Sequence, residues 1–257
     1  MTILRSIALA FAMFSRLPVP RVQWSAQNMR YMMAAFPLVG VVIGSLIWGW
    51  AVFCQWLDLG KVLTACGLML LPIAVTGGIH LDGFCDTADA LSSHAEPKRK
   101  CEILKDPHLG AFAAIWLACY LLLYFSLCHA LQLSHRALAL LLCIPVLSRV
   151  LSAFSVIVLP CEGEAGTLHS FADAADRQVV LGVLWILLTA CAAVMLIVSP
   201  VAGALILLIG VGRFWWLARV AKKEFGGMRG DLAGWFLQLC ELFSLGVVVL
   251  SQKGGWL

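Results

Sequence analysis

Charged side chains are scarce in this sequence. Only 12% of its 257 residues are Asp, Glu, Lys or Arg, and 62% are hydrophobic, whereas soluble domains average about 25% charged residues. So few polar side chains cannot cover the surface of a globule in water. The composition therefore excludes an ordinary soluble protein and predicts a membrane protein. No polar stretch is long enough to fold separately, so we expect a single domain over residues 1–257.

Several motifs that would indicate other kinds of protein are also missing. The ten cysteines include no CxxC pair and mostly lie in apolar runs, so we expect neither a zinc site nor a disulfide framework. Neither a GxxxxGK[ST] phosphate-binding loop nor a Rossmann glycine fingerprint occurs. We therefore do not expect an ATPase, and we expect no nucleic-acid partner.

Apolar runs, by contrast, recur along the whole chain, and at about 20 residues each is long enough to cross the membrane as a helix. They predict an all-α, polytopic membrane helical bundle. We place seven transmembrane spans at approximately 33–57, 62–81, 110–131, 137–159, 179–198, 201–219 and 232–251. The N-terminal apolar segment is stopped by Pro18 and Pro20 and lacks a signal-peptide cleavage site. There we expect an interfacial or half-inserted helix.

The basic residues of the loops are distributed unequally. If the N-terminus lies inside, thirteen Lys and Arg residues fall on the inner side and three on the outer side. The positive-inside rule then places the N-terminus and the loops near 82–109, 160–178 and 220–231 in the cytoplasm. We expect any chemistry on charged, water-soluble substrates at that face.

An acidic stretch, "GGIHLDGFCDTADAL", brings Asp82, Asp86 and Asp89 to the end of the second predicted span. If the helix continues through them, their i, i+4, i+7 spacing puts all three on one stripe. Neighbouring carboxylates repel each other and are costly to desolvate near a membrane. A divalent hard cation, bound through oxygen ligands shared with substrate phosphates, would compensate. The alternative is a solvated helix end that binds no metal.

Other polar residues near the spans extend this candidate site. Lys105 and Asp106 precede the third span, and Asp231 and Glu241 share one face of the last span. Glu241 lies inside an apolar run, where a carboxylate indicates function by default. An acidic, metal-binding stripe at the inner face of a bundle suits phosphoryl or phosphodiester transfer, in which the metal neutralises a diphosphate.

Two arginines and a histidine leave alternatives open. Arg149 and Arg213 lie inside predicted spans, where each either pairs with a carboxylate or holds a phosphate by a bidentate contact. For Arg213 we favour the structural pairing. His80 precedes the aspartates and is off their stripe, so it either bonds to a neighbouring group or takes part in the site.

The acidic stretch resembles the signature of the cobalamin synthase family, the adenosylcobinamide-GDP ribazoletransferases. In that family a G-G-x-H-x-D-G-x-x-D-x-x-D pattern follows the second hydrophobic segment. The loop at 160–178 is loosely similar through Gly166 and Phe171. Four further stretches are similar to the family's other blocks, in the same order: "SRLPVP", "FPLVG", "EILKDPHLGAF" and "GGMRGDLAGWFLQLCEL".

The resemblance implies a multi-pass enzyme of the bacterial inner membrane that uses Mg²⁺ at the cytoplasmic face. Such an enzyme joins adenosylcobinamide-GDP and α-ribazole, or α-ribazole 5′-phosphate, to give adenosylcobalamin or its 5′-phosphate, and it releases GMP. Asp82 and Asp86 are then expected to ligate Mg²⁺, with Asp89 completing the site or acting as general base. Asp106 is expected as a second-cluster ligand or base. The substrate-binding candidates are His80, Lys105, Arg149, Asp231 and Glu241.

Three other classes of membrane protein share parts of this pattern. CDP-alcohol phosphotransferases carry D-G-x-x-A-R after the first aspartate, and "DGFCDT" lacks the Ala-Arg. Membrane prenyltransferases have two aspartate-rich motifs, whereas one of that density is present here. A transporter would place its carboxylates near the bilayer midplane and show internal symmetry, and no repeat is found. Membrane lipid is an expected partner, and spans rich in small residues are compatible with a homo-oligomer.

Overall fold

The structure, a computed structural model, describes residues 2–161 and 167–257. Gly166, one of the two residues that relate the 160–178 loop to the family pattern, lies outside the described residues. Within them the regular secondary structure is helical, apart from an isolated bridge between Cys161 and Met228. The helices are α1 (Thr2–Phe14), α2 (Ala26–Met29), α3 (Met32–Trp56), α4 (Lys61–Thr76), α5 (Ile79–Ser92), α6 (Pro97–Ile103), α7 (Ala111–Ala130), α8 (His135–Val158), α9 (Thr167–Ala174), α10 (Arg177–Val198), α11 (Pro200–Phe225) and α12 (Gly230–Lys253).

Six of the described helices, α3, α7, α8, α10, α11 and α12, are long and apolar enough to cross a membrane. Helices α4 and α5 meet the same test only as a pair, and the count rises to seven if that pair forms one span. The prediction of an all-α, multi-pass membrane bundle is confirmed. Helix α1 has 13 residues and is too short to cross the hydrocarbon layer; its place at the interface stays a prediction.

The second predicted span differs from the structure, because its helix does not continue into the aspartates. Helix α4 ends at Thr76, and α5 begins at Ile79 at an angle of 94° to it. Gly77 and Gly78 join them with φ values of +65° and +82°, in a left-handed conformation that residues with a side chain rarely adopt. The acidic stripe therefore belongs to a separate helix with its own direction. We call the turn at Gly77 and Gly78 the elbow.

Helix α8 is the centre of the bundle. Most of its side chains are buried, and α3, α10 and α12 surround it. Helix α3 approaches α8 so closely that a Cβ atom at Gly44 would lie 2.5 Å from the carbonyl oxygen of Leu142. Lipid is as apolar as the side chains, so membrane helices associate through close packing at small residues rather than through the hydrophobic effect. The α3–α8 contact is of this kind.

Polar contacts join the helices at the two ends of the bundle. At the end where α3, α7 and α12 begin, Lys100 of α6 donates to Glu224 of α11, with Nζ 2.5 Å from the carboxylate. At the opposite end, the side-chain amide of Gln252 donates to the carbonyl oxygen of Gln132 at 2.6 Å. The first end carries α5 and the loops with most of the basic residues. The acidic residues and the basic loops are therefore at the same end.

We expect Gly44→Ala to lower the free energy of unfolding by about 1–3 kcal/mol, because the added methyl group overlaps backbone atoms of α8. Gly49→Ala, on the same helix, is the matched control, since no atom lies within 4 Å of its Cβ position. Thermal unfolding of both variants in one detergent measures the difference. An unchanged or raised unfolding temperature for Gly44→Ala would contradict the close α3–α8 contact.

Candidate functional site

Glycines allow α5 to lie directly against α12. A Cβ atom at Gly83 would be 2.8 Å from the carbonyl oxygen of Asp231, and one at Gly234 would be 2.9 Å from that of His80. Any larger residue at either position would push the helices apart. The two backbones therefore touch, and the start of α12 is brought beside the acidic residues of α5.

Asp82, Asp86 and Asp231 together form an acidic cluster. Repulsion from Asp82 and Asp231 acts on Asp86, and repulsion from Asp82 acts on Asp231. Arg229 attracts Asp231 electrostatically. Three carboxylates therefore lie near one another, with Arg229 as a basic residue that acts on Asp231. The cluster thus holds excess negative charge, which a bound cation would balance.

The third member of the predicted trio, Asp89, has a different place. Its carboxylate accepts a hydrogen bond from the backbone N–H of Ala113 at 3.3 Å and lies against Gly110. Gly110 is the N-cap of α7 and has no side chain to satisfy the first N–H groups of that helix. Asp89 supplies this cap from α5, and its negative charge interacts favourably with the positive N-terminal end of the α7 dipole.

This arrangement bears on the predicted metal site. Over residues 2–161 and 167–257, no three Asp, Glu, His or Cys side chains converge closely enough to hold a metal ion. A complete ligand cage made by Asp82, Asp86 and Asp89 is thus not formed in advance, because Asp89 is directed to α7. The roles of these residues as metal ligands or bases stay predictions.

A cavity of about 210 Å³ lies next to the acidic cluster and is lined by Asp82, Asp231 and His80. The buried His80 ring contacts two aromatic rings, with centroids 6.1 Å from Phe14 and 5.7 Å from Phe36. Its Nε2 atom has no hydrogen-bond partner among the described residues. Buried polar atoms are rarely left unpaired, so Nε2 is a candidate for a hydrogen bond to a bound molecule.

Arg149 and Glu241 form an ion pair in the core of the bundle. Their side chains are 1% and 4% exposed, and Nη1 of Arg149 lies 2.7 Å from Oε1 of Glu241. Ser148 donates to the same oxygen at 2.8 Å, and Nη1 also donates to the carbonyl oxygen of Pro145 at 3.0 Å. The pair joins α8 to α12. Arg149 and Glu241, both predicted to bind substrate, are thus paired with each other. Contact of either residue with a substrate stays a prediction.

Lys105 and Asp106 lie in the exposed loop after α6. Asp106 accepts hydrogen bonds from the ring of His108 at 2.7 Å and from its backbone N–H at 3.0 Å. The bond to the ring has the larger effect, and together the two bonds hold the pKa of Asp106 below its usual value. Neither loop residue forms a hydrogen bond or ion pair with the acidic cluster within the described part of the chain. Their predicted roles remain untested.

One basic residue near the site was not singled out by the sequence analysis. The backbone N–H of Arg16 donates to the carbonyl oxygen of Val75 at 2.7 Å, and its side chain lies over Gly77. Arg16 thus places a positive charge at the elbow, directly before α5. Its position within "SRLPVP" was the signal that could have identified it.

Comparisons with known proteins agree with this arrangement. A model of the cobalamin-5-phosphate synthase family matches residues 6–249. The adenosylcobinamide-GDP ribazoletransferase of Lachnoclostridium phytofermentans is 39% identical over 97% of this chain and 95% of its own. The protein of the same name from Geobacillus kaustophilus is 32% identical over 95% of this chain and 95% of its own. The one from Clostridium perfringens is 29% identical over 96% of this chain and 97% of its own. No solved structure gives a significant match.

We expect Asp86→Asn to raise the free energy of unfolding by about 1 kcal/mol in buffer containing a metal chelator, because it removes repulsion within the acidic cluster. Asp58→Asn is the control. Asp58 is exposed at the opposite end of the bundle, and its φ of +51° is tolerated by Asn. Thermal unfolding measures both. A less stable Asp86→Asn protein would show that the cluster is not repulsive without metal.

We expect Glu241→Gln to destabilise the protein by about 3–5 kcal/mol, because Arg149 is left buried without its counter-charge. In the double variant Arg149→Met/Glu241→Leu, apolar side chains replace the pair, and most of this loss should be regained. Unfolding in detergent provides the comparison. If Glu241→Gln is as stable as the unmodified protein, the ion pair does not hold α8 to α12.

Proposed function

Because the chain belongs to the cobalamin-5-phosphate synthase family, we propose that it is an adenosylcobinamide-GDP ribazoletransferase. A ribose hydroxyl oxygen of α-ribazole, or of α-ribazole 5′-phosphate, attacks the phosphorus next to the cobinamide. A new phosphodiester bond forms there, the diphosphate bond breaks, and GMP leaves with the bridging oxygen. The observation that carries the proposal is the acidic cluster at the wall of a cavity. The same cavity holds Nε2 of His80, which has no hydrogen-bond partner within the described part of the chain.

The reacting diphosphate lies at the acidic cluster in this proposal. Carboxylates and a diphosphate repel each other, and a divalent cation would offset that repulsion. Mg²⁺ is commonly held by only one or two carboxylates together with substrate phosphates, and the cluster fits this use because it offers carboxylates without a complete cage. Asp82 and Asp86 would hold the ion, with Asp231 beside them. When bound, Mg²⁺ would neutralise charge that develops on the diphosphate.

The remaining residues bind and orient the substrates. His80 would form a hydrogen bond to the bound substrate from the cavity wall, and Phe14 and Phe36 would exclude water behind it. Arg16, at the elbow, would attract the diphosphate. Asp89 remains the candidate base for the ribose hydroxyl proton, which it would take on Oδ2 because Oδ1 accepts the hydrogen bond from Ala113.

The location of the cavity supports the cytoplasmic face of the inner membrane as the place of reaction. The cavity is at the end of the bundle that carries most of the basic loop residues, and such loops are retained in the cytoplasm. A cavity of about 210 Å³ is smaller than typical sites for whole ligands. It would take the reacting groups, while the bulk of the corrinoid stays outside.

We expect the purified protein to release GMP from adenosylcobinamide-GDP and α-ribazole in the presence of Mg²⁺, and Asp82→Asn to reduce this rate by about 100-fold or more, as loss of a preorganised charged group commonly does. A chelator should abolish release. Asp58→Asn, at the opposite end, serves as the control and should release GMP at the unmodified rate.

Two outcomes would contradict this assignment in different ways. If Asp82→Asn released GMP at the unmodified rate, the proposed reaction would stand but the role given to the acidic cluster would be wrong. If the folded protein released no GMP with either acceptor and any divalent metal, the reaction itself would be wrong.

A further inference from the structure

A second, larger cavity of about 710 Å³ lies between α5, α7, α11 and α12. It contacts α5 through Phe84 and Ala88, which face away from the stripe of Asp82 and Asp86 because they are offset from it by about half a turn. The cavity is therefore on the opposite side of α5 from the acidic cluster. Its walls are mainly apolar, with Ser92 and His94 at the end of α5, and six of the thirteen lining residues are Phe or Trp: Phe84, Phe112, Trp116, Trp216, Trp235 and Phe243.

The cavity opens on the outer surface of the bundle. Phe112 and Trp116 of α7 are 50% and 51% exposed, and Phe243 of α12 is 44% exposed. In a multi-pass membrane protein, the exposed apolar surface of spanning helices faces lipid. A molecule that enters this cavity between the helices therefore comes from the membrane.

Arg213 places a positive charge inside this apolar cavity. Its guanidinium carbon lies 4.0 Å from the ring centroid of Trp216, 5.2 Å from that of Phe243 and 5.6 Å from that of Trp235. The Nε and Nη2 atoms are buried and have no hydrogen-bond acceptor among the described residues. The sequence analysis favoured pairing with a carboxylate, and the structure gives Arg213 aromatic rings instead.

The contrast with Arg149 shows what Arg213 lacks. Arg149 is buried in the core of the bundle, and Glu241 balances its charge, whereas Arg213 is half-buried. No Asp or Glu of the described chain forms an ion pair with Arg213. Aromatic faces attract a cation but carry no net charge, and an unbalanced charge within a membrane is costly. An anion from outside the chain would supply the missing partner.

We propose that this cavity binds one anionic membrane lipid, whose acidic head group pairs with Arg213 and whose acyl chain lies along the aromatic walls. A guanidinium is suited to bidentate contact with phosphate oxygens. Free phosphate would balance the charge but leave the apolar walls uncovered, whereas a phospholipid does both. The lipid would also pack against α5, the helix whose other side carries the acidic cluster.

The test compares lipids that differ only in head-group charge. The full-length protein, stripped of lipid in a non-ionic detergent, is given phosphatidylglycerol or phosphatidylethanolamine with identical acyl chains. Native mass spectrometry then counts the lipids retained. We expect one retained phosphatidylglycerol per chain, with a preference of about tenfold over phosphatidylethanolamine. Arg213→Gln should lose this preference. Arg219→Gln, an exposed arginine on the same helix, should keep it.

A second variant tests the cavity without removing the charge. Ile115 lines the cavity from an exposed position, so Ile115→Trp fills space with little effect on folding. This variant should lose the retained phosphatidylglycerol. Equal retention of both lipids by the unmodified protein, or an unchanged preference in Arg213→Gln, would overturn the proposal. Displacement of the lipid by inorganic phosphate or by α-ribazole would also overturn it, in favour of a simple anion site or a substrate site.

Discussion

The turn at Gly77 and Gly78 is the constraint on which the rest of the site depends. Two consecutive residues in left-handed conformation change the chain direction by 94° between α4 and α5, and glycine adopts that conformation without steric cost. A continuous helix would carry the aspartates past the end of the bundle into solvent. The turn instead lays α5 against α12, where Gly83 allows backbone contact. One carboxylate from a distant part of the sequence, Asp231, then joins those of α5.

The few charged groups inside the bundle are balanced in different ways. Arg149 and Glu241 neutralise each other in the core and hold α8 to α12; breaking such a pair costs more than forming it gains, so its value lies in fixing the position of α12. Arg213 has aromatic neighbours in place of a carboxylate. The acidic cluster brings three carboxylates together, and Arg229 attracts one of them, Asp231. The acidic cluster and Arg213 each lie at a cavity, and these are the two places where ligands are proposed to bind.

Much of the fold followed from the sequence, because membrane spans are set by the length and composition of apolar runs. The family resemblance, carried by the ordered motifs, is confirmed by the comparisons. The elbow was not predicted, because a Gly-Gly pair permits a turn but does not require one. The cap that Asp89 provides for α7 depends on a contact between residues 24 positions apart. Periodicity along one helix shows which residues share a face and not which other helix that face meets.

The three carboxylates of α5 are divided between two neighbouring helices, and this division lowers their mutual repulsion. Asp89 is stabilised by an N–H group of α7 and by the dipole of that helix, so its charge is partly offset. Asp86 has Asp82 and Asp231 as neighbours of the same sign, and Asp89 repels it less strongly. A complete cage of three converging carboxylates would be more strongly repulsive before metal binds. An incomplete cluster has less repulsion in the free protein, and its remaining ligand positions can be filled by the oxygens of a diphosphate. Metal binding and substrate binding would then depend on each other, which favours cation binding when the substrate is present.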